Sequence, residues 1–177
     1  FKIYIYFKLL IRYNEIKKVR LKGGTINVMS RRAAVLKDFQ SGYSCAQSIF
    51  TGYFDLYDGV EDREAALKVA LPFGGGLACI EGVCGAVYGS VLLLGLKYGV
   101  VDNPADEEKM WEFNYLVRDF LKDFEEKNGS IYCKDIVRCD ITTPEDLAKG
   151  RENIERYCVD AVLSAVDLLE NKYKILE

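Results

Sequence analysis

The chain is 177 residues long, 50% apolar and 29% charged, with a formal net charge of −3. That is the balance of one soluble globular domain large enough for a hydrophobic core, not of a disordered, fibrous or disulfide-stapled chain. Histidine is absent, which removes the commonest general acid/base and metal ligand and excludes histidine triads, H-E-x-x-H zinc helices and c-type haem attachment through C-x-x-C-H.

Residues 1–28 carry seven Lys or Arg and one acid, Glu15, whereas residues 29–177 carry 17 bases and 26 acids. The acidic body argues against a nucleic-acid partner, because binding phosphates needs a basic face. The head, "FKIYIYFKLLIRYNEIKKVRLKGGTINVM", lacks the long apolar stretch and small-residue cleavage site of a signal peptide, and Lys2, Lys8 and Arg12 break any membrane-length run. It reads as an edge strand, a short surface helix, or a leader outside the natural protein. The last reading arises because Lys22-Gly23-Gly24 is what a purine-rich ribosome-binding sequence yields in frame, with Val28 or Met29 as the start. The expectation is a basic extension over 1–28, dispensable to function, ahead of a helical domain over 29–177, with no transmembrane segment and a cytoplasmic location.

From Ser30 the patterning is helical, and no strand alternation follows. Ser30 caps a helix through "RRAAVLKDF" that Ser41-Gly42 closes. "SCAQSIFTGYFDLY" places Cys45, Ile49, Tyr53 and Leu56 on one face, with Ser44 as N-cap. "EDREAALKVALPF" has acids Glu61, Asp62 and Glu64 where a helix start favours them, and stops at Gly74-Gly75-Gly76. A fourth helix begins near Gly82 and runs to Tyr98-Gly99. The longest follows Pro104, with Met110, Phe113, Val117, Phe120 and Phe124 as its apolar stripe. A short helix through "IYCKDIV", a turn with Pro144 and a last helix carrying Ile154, Cys158, Ala161, Val162, Ala165 and Leu169 complete the chain. The fold class is therefore all-α, a compact bundle of about six helices with short connections.

Cys45, Cys84, Cys133 and Cys158 fall on four different predicted helices, and bundles build sites from inward-facing side chains on separate helices. Cys84 lies near a helix start, where free N–H groups and the helix dipole stabilise a thiolate. Gly85 and Gly89 leave a bare stripe beside it for close approach of another helix or a sulfur. Cys79 and Cys84 are in position to pair only if the segment between them is a loop. No phosphate-binding glycine motif is present.

The stretches "YSCAQSIF", "PFGGGLACIEGVCGAVYGSVLLLGLKYG", "FEEKNGSIYCKDIV" and "YCVDAV" occur in order, and together they resemble the C_GCAxxG_C_C family, named for its cysteine pattern and described as redox-active. The resemblance covers about residues 30–170. It implies Cys45, Cys84, Cys133 and Cys158 as the functional cysteines, with Cys79 and Cys139 additional. It further implies a prokaryotic protein, often encoded near transporter or oxidoreductase genes, and a helical domain similar to that of split-Soret cytochromes. Without histidine this chain lacks the haem attachment and axial ligation of those relatives.

Three functions remain open. The first is thiol–disulfide chemistry, with Cys84 as the low-pKa thiolate and Cys45, Cys133 or Cys158 resolving it, and Lys134 and Arg156 as sources of local positive charge. There is no C-x-x-C and no thioredoxin-like pattern. The second is a metal centre, zinc or an iron–sulfur cluster, held by Cys45, Cys84, Cys133 and Cys158. The third is a non-catalytic helical accessory protein with core cysteines. Whether the chain is an enzyme stays open, as do the identity of a redox or transport partner and the formation of a homo-oligomer.

Overall fold

The computed structural model describes residues 16–21, 24–60, 62–100, 102 and 106–177. The readings made for residues 1–15, for Lys22 and Gly23, for Glu61 and for Pro104 lie outside these residues.

The described part of the basic extension is an antiparallel pair, β1 (Ile16–Leu21) and β2 (Gly24–Met29), in the register Ile16 opposite Met29 and Leu21 opposite Gly24. The β-branched content of "IKKVRL" and "GTINVM" suits such a pair. All the regular secondary structure after it is helical among the described residues, apart from an isolated bridge between Val83 and Tyr132.

Local capping sets most helix starts. In α1 (Arg31–Gln40) the Ser30 hydroxyl accepts from the Ala33 N–H at 3.1 Å. α2 (Cys45–Tyr53) opens with a capping box, since Ser44 and Gln47 each accept from the other's backbone N–H. Asp62 caps α3 (Arg63–Ala70), and a 3-10 turn, Leu71–Phe73, follows. α4 spans Gly85–Tyr98 and α5 Glu107–Asn128, the latter capped by Asp106 and ended by Gly129. α6 (Cys133–Val137) and α7 (Pro144–Lys149) are short. α8 comprises Arg151–Asn153, a π-helical turn over Ile154–Cys158, and Val159–Asn171.

The bundle thus has eight helices among the described residues against the about six expected, and α7 begins where a turn was expected. Pro144 occupies the first helical position after the N-cap Thr143, where its missing N–H costs nothing. Two further expectations shift. Leu56 leaves the face of α2 because the chain tightens into a 3-10 turn, Phe54–Leu56, which leaves it 38% exposed. Met110 is also exposed, because α5 first meets the core at Phe113, one turn later. Trp111 and Tyr115 also stand on the surface beneath the Arg118 guanidinium.

α2 packs on α1, α3 and α4, and α8 closes the bundle against α5, α4 and α1. Tyr53, Phe50, Phe120 and Phe124 are the largest side chains in the interior. Buried hydroxyls find partners: Tyr53 donates to Glu170 at 2.6 Å, and Tyr173 donates to Asp123, which also pairs with Lys172. The bare stripe of α4 serves α2. A β-carbon on Gly89 would lie 2.7 Å from the Ala46 carbonyl oxygen, and one on Gly85 would lie 2.9 Å from that of Phe73. The two backbones therefore meet at a distance that no larger residue permits, and the start of α2, with Cys45, is held against the start of α4, with Cys84.

Candidate functional site: a cluster of cysteines

Each of the four cysteines expected to be functional sits at a point where the chain enters or re-aims a helix. Cys45 is the first residue of α2, Cys84 the N-cap of α4, Cys133 the first residue of α6, and Cys158 the last residue of the π turn in α8. A π turn inserts extra backbone into a helix and shifts the faces on either side of it, a feature frequent at functional sites. Here it brings Cys158 inward to 6% exposure while its neighbours Glu155 and Arg156 stay on the surface.

Two backbone hydrogen bonds fasten the segments together. The Cys84 N–H donates to the Ile131 carbonyl at 2.8 Å, and the Cys133 N–H donates to the Gly82 carbonyl at 2.7 Å. They flank the Val83–Tyr132 bridge, so Cys84 and Cys133 enter their helices side by side.

The loop before Cys84 has an unusual backbone. Gly75, Gly76, Leu77, Ala78, Cys79 and Glu81 all have positive φ, between +50° and +73°. Four of these six are not glycine, so the left-handed turn costs energy that its closure must offset. The N–H groups of Ala78, Glu81 and Gly82 reach back to the carbonyls of Pro72, Gly75 and Gly76, at 2.7, 3.2 and 2.9 Å. This folding lays Gly76 directly against the β-carbon of Cys133.

The sulfurs gather into one region. Cys133 and Cys158 share a small apolar cluster with Val137 and Ile141, and Cys45, Cys139, Phe39 and Ile154 pack against it. Cys45 also packs against the main core, to which Cys84 belongs. Cys45 is thus the thiol at the junction of the two clusters, and it donates a hydrogen bond to the Cys158 sulfur. That bond makes the pair asymmetric. It lowers the Cys158 pKa, outweighing burial, because it stabilises the Cys158 thiolate. The same bond raises Cys45 well above the ordinary thiol value, with burial and the other three sulfurs adding to the rise.

The expectation that Cys84 is the low-pKa thiolate is reversed. Burial dominates and pushes it up to about 12, although the N–H groups of Ala86 and Val87 at the start of α4 oppose the rise. Cys133 is raised as well, first by burial and then by the neighbouring sulfurs and Glu81. The local positive charge expected from Lys134 and Arg156 does not face the thiols. Lys134 is exposed and lies 4.0 Å from Glu81, and the Arg156 guanidinium lies over the Tyr157 ring. The charge that does face them is the Glu81 carboxylate, only 10% exposed and accepting from the Ile141 N–H. Glu81 lies three residues before Cys84 in the chain, and its approach to Cys133 and Cys139 depends on the left-handed loop.

Cys79 and Cys139 lie outside the four but border them. Cys79 is in that loop, as pairing with Cys84 would require, yet all six cysteines are free thiols. The expected metal centre asks for several donors converging on one point. Among the described residues no group of three or more Cys, Asp or Glu is placed to hold a metal ion.

The pH dependence of alkylation separates these thiols. Cys158 is expected to react with iodoacetamide along a curve that inflects below the ordinary thiol range. Cys84 is expected to stay unmodified through pH 10 while the fold persists, since its ionisation requires about pH 12. Residue-resolved mass spectrometry over pH 6–10 checks both, and early modification of Cys84 would contradict its burial.

Residues 43–172 match the family described as "Putative redox-active protein (C_GCAxxG_C_C)". No curated protein and no solved structure matches the chain. No described helix is long and apolar enough to cross a membrane.

Proposed function

The chain belongs to the C_GCAxxG_C_C family, and from that premise we propose that it is a dithiol–disulfide redox protein whose electron pair is held by Cys45 and Cys158. The observation that carries this reading is the packing of Cys45 against the cluster that holds Cys158, with a side-chain interaction between the two thiols that lowers the pKa of Cys158 and raises that of Cys45. Closing the bond brings the two sulfurs to about 2.05 Å. The family's redox description supports the class of chemistry, and the lowered pKa supplies the nucleophile. The absence of histidine fits a reaction that needs no imidazole.

The electron acceptor is a disulfide on a small molecule or a partner protein. Oxidation forms the Cys45–Cys158 bond, breaks the acceptor's sulfur–sulfur bond and moves two electrons and two protons to the acceptor's thiols. Reduction is the reverse. Cys84 and Cys133, held protonated beside the pair by burial, act as a neutral wall that keeps water out and their own sulfurs out of the exchange.

The test is equilibration of anaerobically purified protein in glutathione buffers of graded potential, with acid quenching, alkylation and peptide mapping. A single two-electron transition that links Cys45 to Cys158, and that is absent from Cys45→Ser and Cys158→Ser, is the expected result. Two findings would overturn the reading: no Cys45–Cys158 bond at any potential, or native mass spectrometry showing zinc or iron bound through these cysteines.

A further inference from the structure

The Cys158 thiolate is the nucleophile of the pair, yet its 6% exposure closes it to a bulky disulfide. An outside disulfide therefore enters at one of the partly exposed thiols, Cys45, Cys79 or Cys139. Cys139 is placed to receive it, and it lies outside the four-cysteine pattern.

Several observations put Cys139 there. Arg138 ends α6 in the left-handed conformation, φ +59°, and this turns the chain back so that Cys139 returns onto α8. Cys139 then packs against the cluster that contains Cys158, while keeping part of its own surface in solvent. On the α8 side its sulfur rests on Gly150, where a β-carbon would come to 2.6 Å of it, so the absence of a side chain makes the room. Asn153, one π turn before Cys158, donates to the carbonyls of Val137 and Arg138 at 3.0 and 3.1 Å and contacts the Cys139 sulfur. This amide clamps the Cys139 segment onto the same turn of α8 that aims Cys158.

We infer that Cys139 is the entry thiol through which external disulfides exchange with the buried Cys45–Cys158 pair. The inference rests on that pair being the electron store. In the oxidising direction the Cys139 thiolate attacks an external disulfide, RSSR, forming a Cys139–SR mixed disulfide and releasing RS⁻. The Cys158 thiolate then attacks the Cys139 sulfur, forming Cys139–Cys158 and releasing the second RS⁻. Cys45, losing its proton to solvent, attacks the Cys158 sulfur and releases Cys139, which is reprotonated. The pair loses two electrons, RSSR gains them, and Cys139 is regenerated. The first attack is slow at neutral pH, because burial holds the Cys139 thiol up and the charges of Cys158, Glu81 and Asp140 add to the rise against the opposing Asn153. Entry at Cys139 therefore gives an oxidation rate that climbs through and above the ordinary thiol range, whereas entry at Cys158 would saturate below it.

The experiment oxidises the full chain with glutathione disulfide and follows the Cys45–Cys158 bond by quenched alkylation, for wild type, Cys139→Ser, Cys79→Ser and Cys158→Ser. Cys139→Ser is expected to reach the wild-type equilibrium but about tenfold or more slowly, and Cys79→Ser to match wild type in both. Cys158→Ser, which lacks the second nucleophile, is expected to accumulate one glutathione on Cys139. An unaltered rate in Cys139→Ser with a normal equilibrium, or trapped glutathione on Cys45 instead of Cys139, overturns the entry role and leaves the pair standing. Failure of wild type to form the Cys45–Cys158 bond overturns the pair and the entry role together.

Discussion

Replacing Gly76 with alanine is expected to destabilise the fold by about 2–5 kcal/mol, from a left-handed backbone penalty of about 1–2 and an overpacking cost of about 1–3. Gly76 has φ +73°, and the added β-carbon would lie 2.7 Å from the Cys133 β-carbon, 2.7 Å from the Gly82 nitrogen and 2.9 Å from the Glu81 carbonyl carbon. Two of these are backbone atoms, and Gly82 is held in place because its N–H donates to the Gly76 carbonyl while its own carbonyl accepts from the Cys133 N–H, so no side chain can rotate away. Gly129 is the control. Its φ is +81°, but nothing lies within 4 Å of its would-be β-carbon, so alanine there pays only the conformational part, about 1–2 kcal/mol. Urea denaturation of both variants separates the two terms. Equal losses would mean that the left-handed loop is not packed on Cys133. The Gly76 substitution is also expected to open Cys133 to alkylation, because the loop that covers it must shift.

Cys45→Ala is expected to slow the alkylation of Cys158 at pH 7 by about three- to tenfold. A thiolate loses stabilisation when its hydrogen-bond donor is removed, and the gain in intrinsic nucleophilicity offsets only part of the lost thiolate fraction. The sign is what makes the test sharp. Removing a neighbouring sulfur opens space and would, on access alone, speed modification of a side chain that is 6% exposed. Slower reaction therefore reports the hydrogen bond from Cys45, and faster reaction would show that access governs Cys158 and that its lowered pKa has another origin. Measurement on Cys84→Ala in parallel supplies the comparison, since that sulfur contributes burial to the region but no hydrogen bond to Cys158.

The helices were legible because their causes are local. Ser30 and Ser44 cap the helices expected of them, and Asp62, expected as an acid at a helix start, caps that helix; such caps act within one turn of chain. The same holds for the inward faces that carry Cys45 and Cys158. Misreadings occurred where local signals conflict or carry no tertiary information. Pro144 suits a turn and a first helical position alike. The apolar period of α5 continues through Met110 even though the core does not extend that far.

By itself the sequence determined that the body of the chain after residue 29 is helical, that its chemistry excludes imidazole, and which four cysteines the family resemblance points to. Only the tertiary structure decided in which direction each thiol pKa moves. A helix start favours a thiolate at Cys84 through amides two and three residues away, which the sequence displays. The opposing desolvation comes from segments distant in the chain that bury Cys84, and it is the larger effect. Cys158 carries no local signal for a lowered pKa. Its thiolate is stabilised by Cys45, more than a hundred residues earlier, and that contact exists only once α2, α4 and α8 have packed.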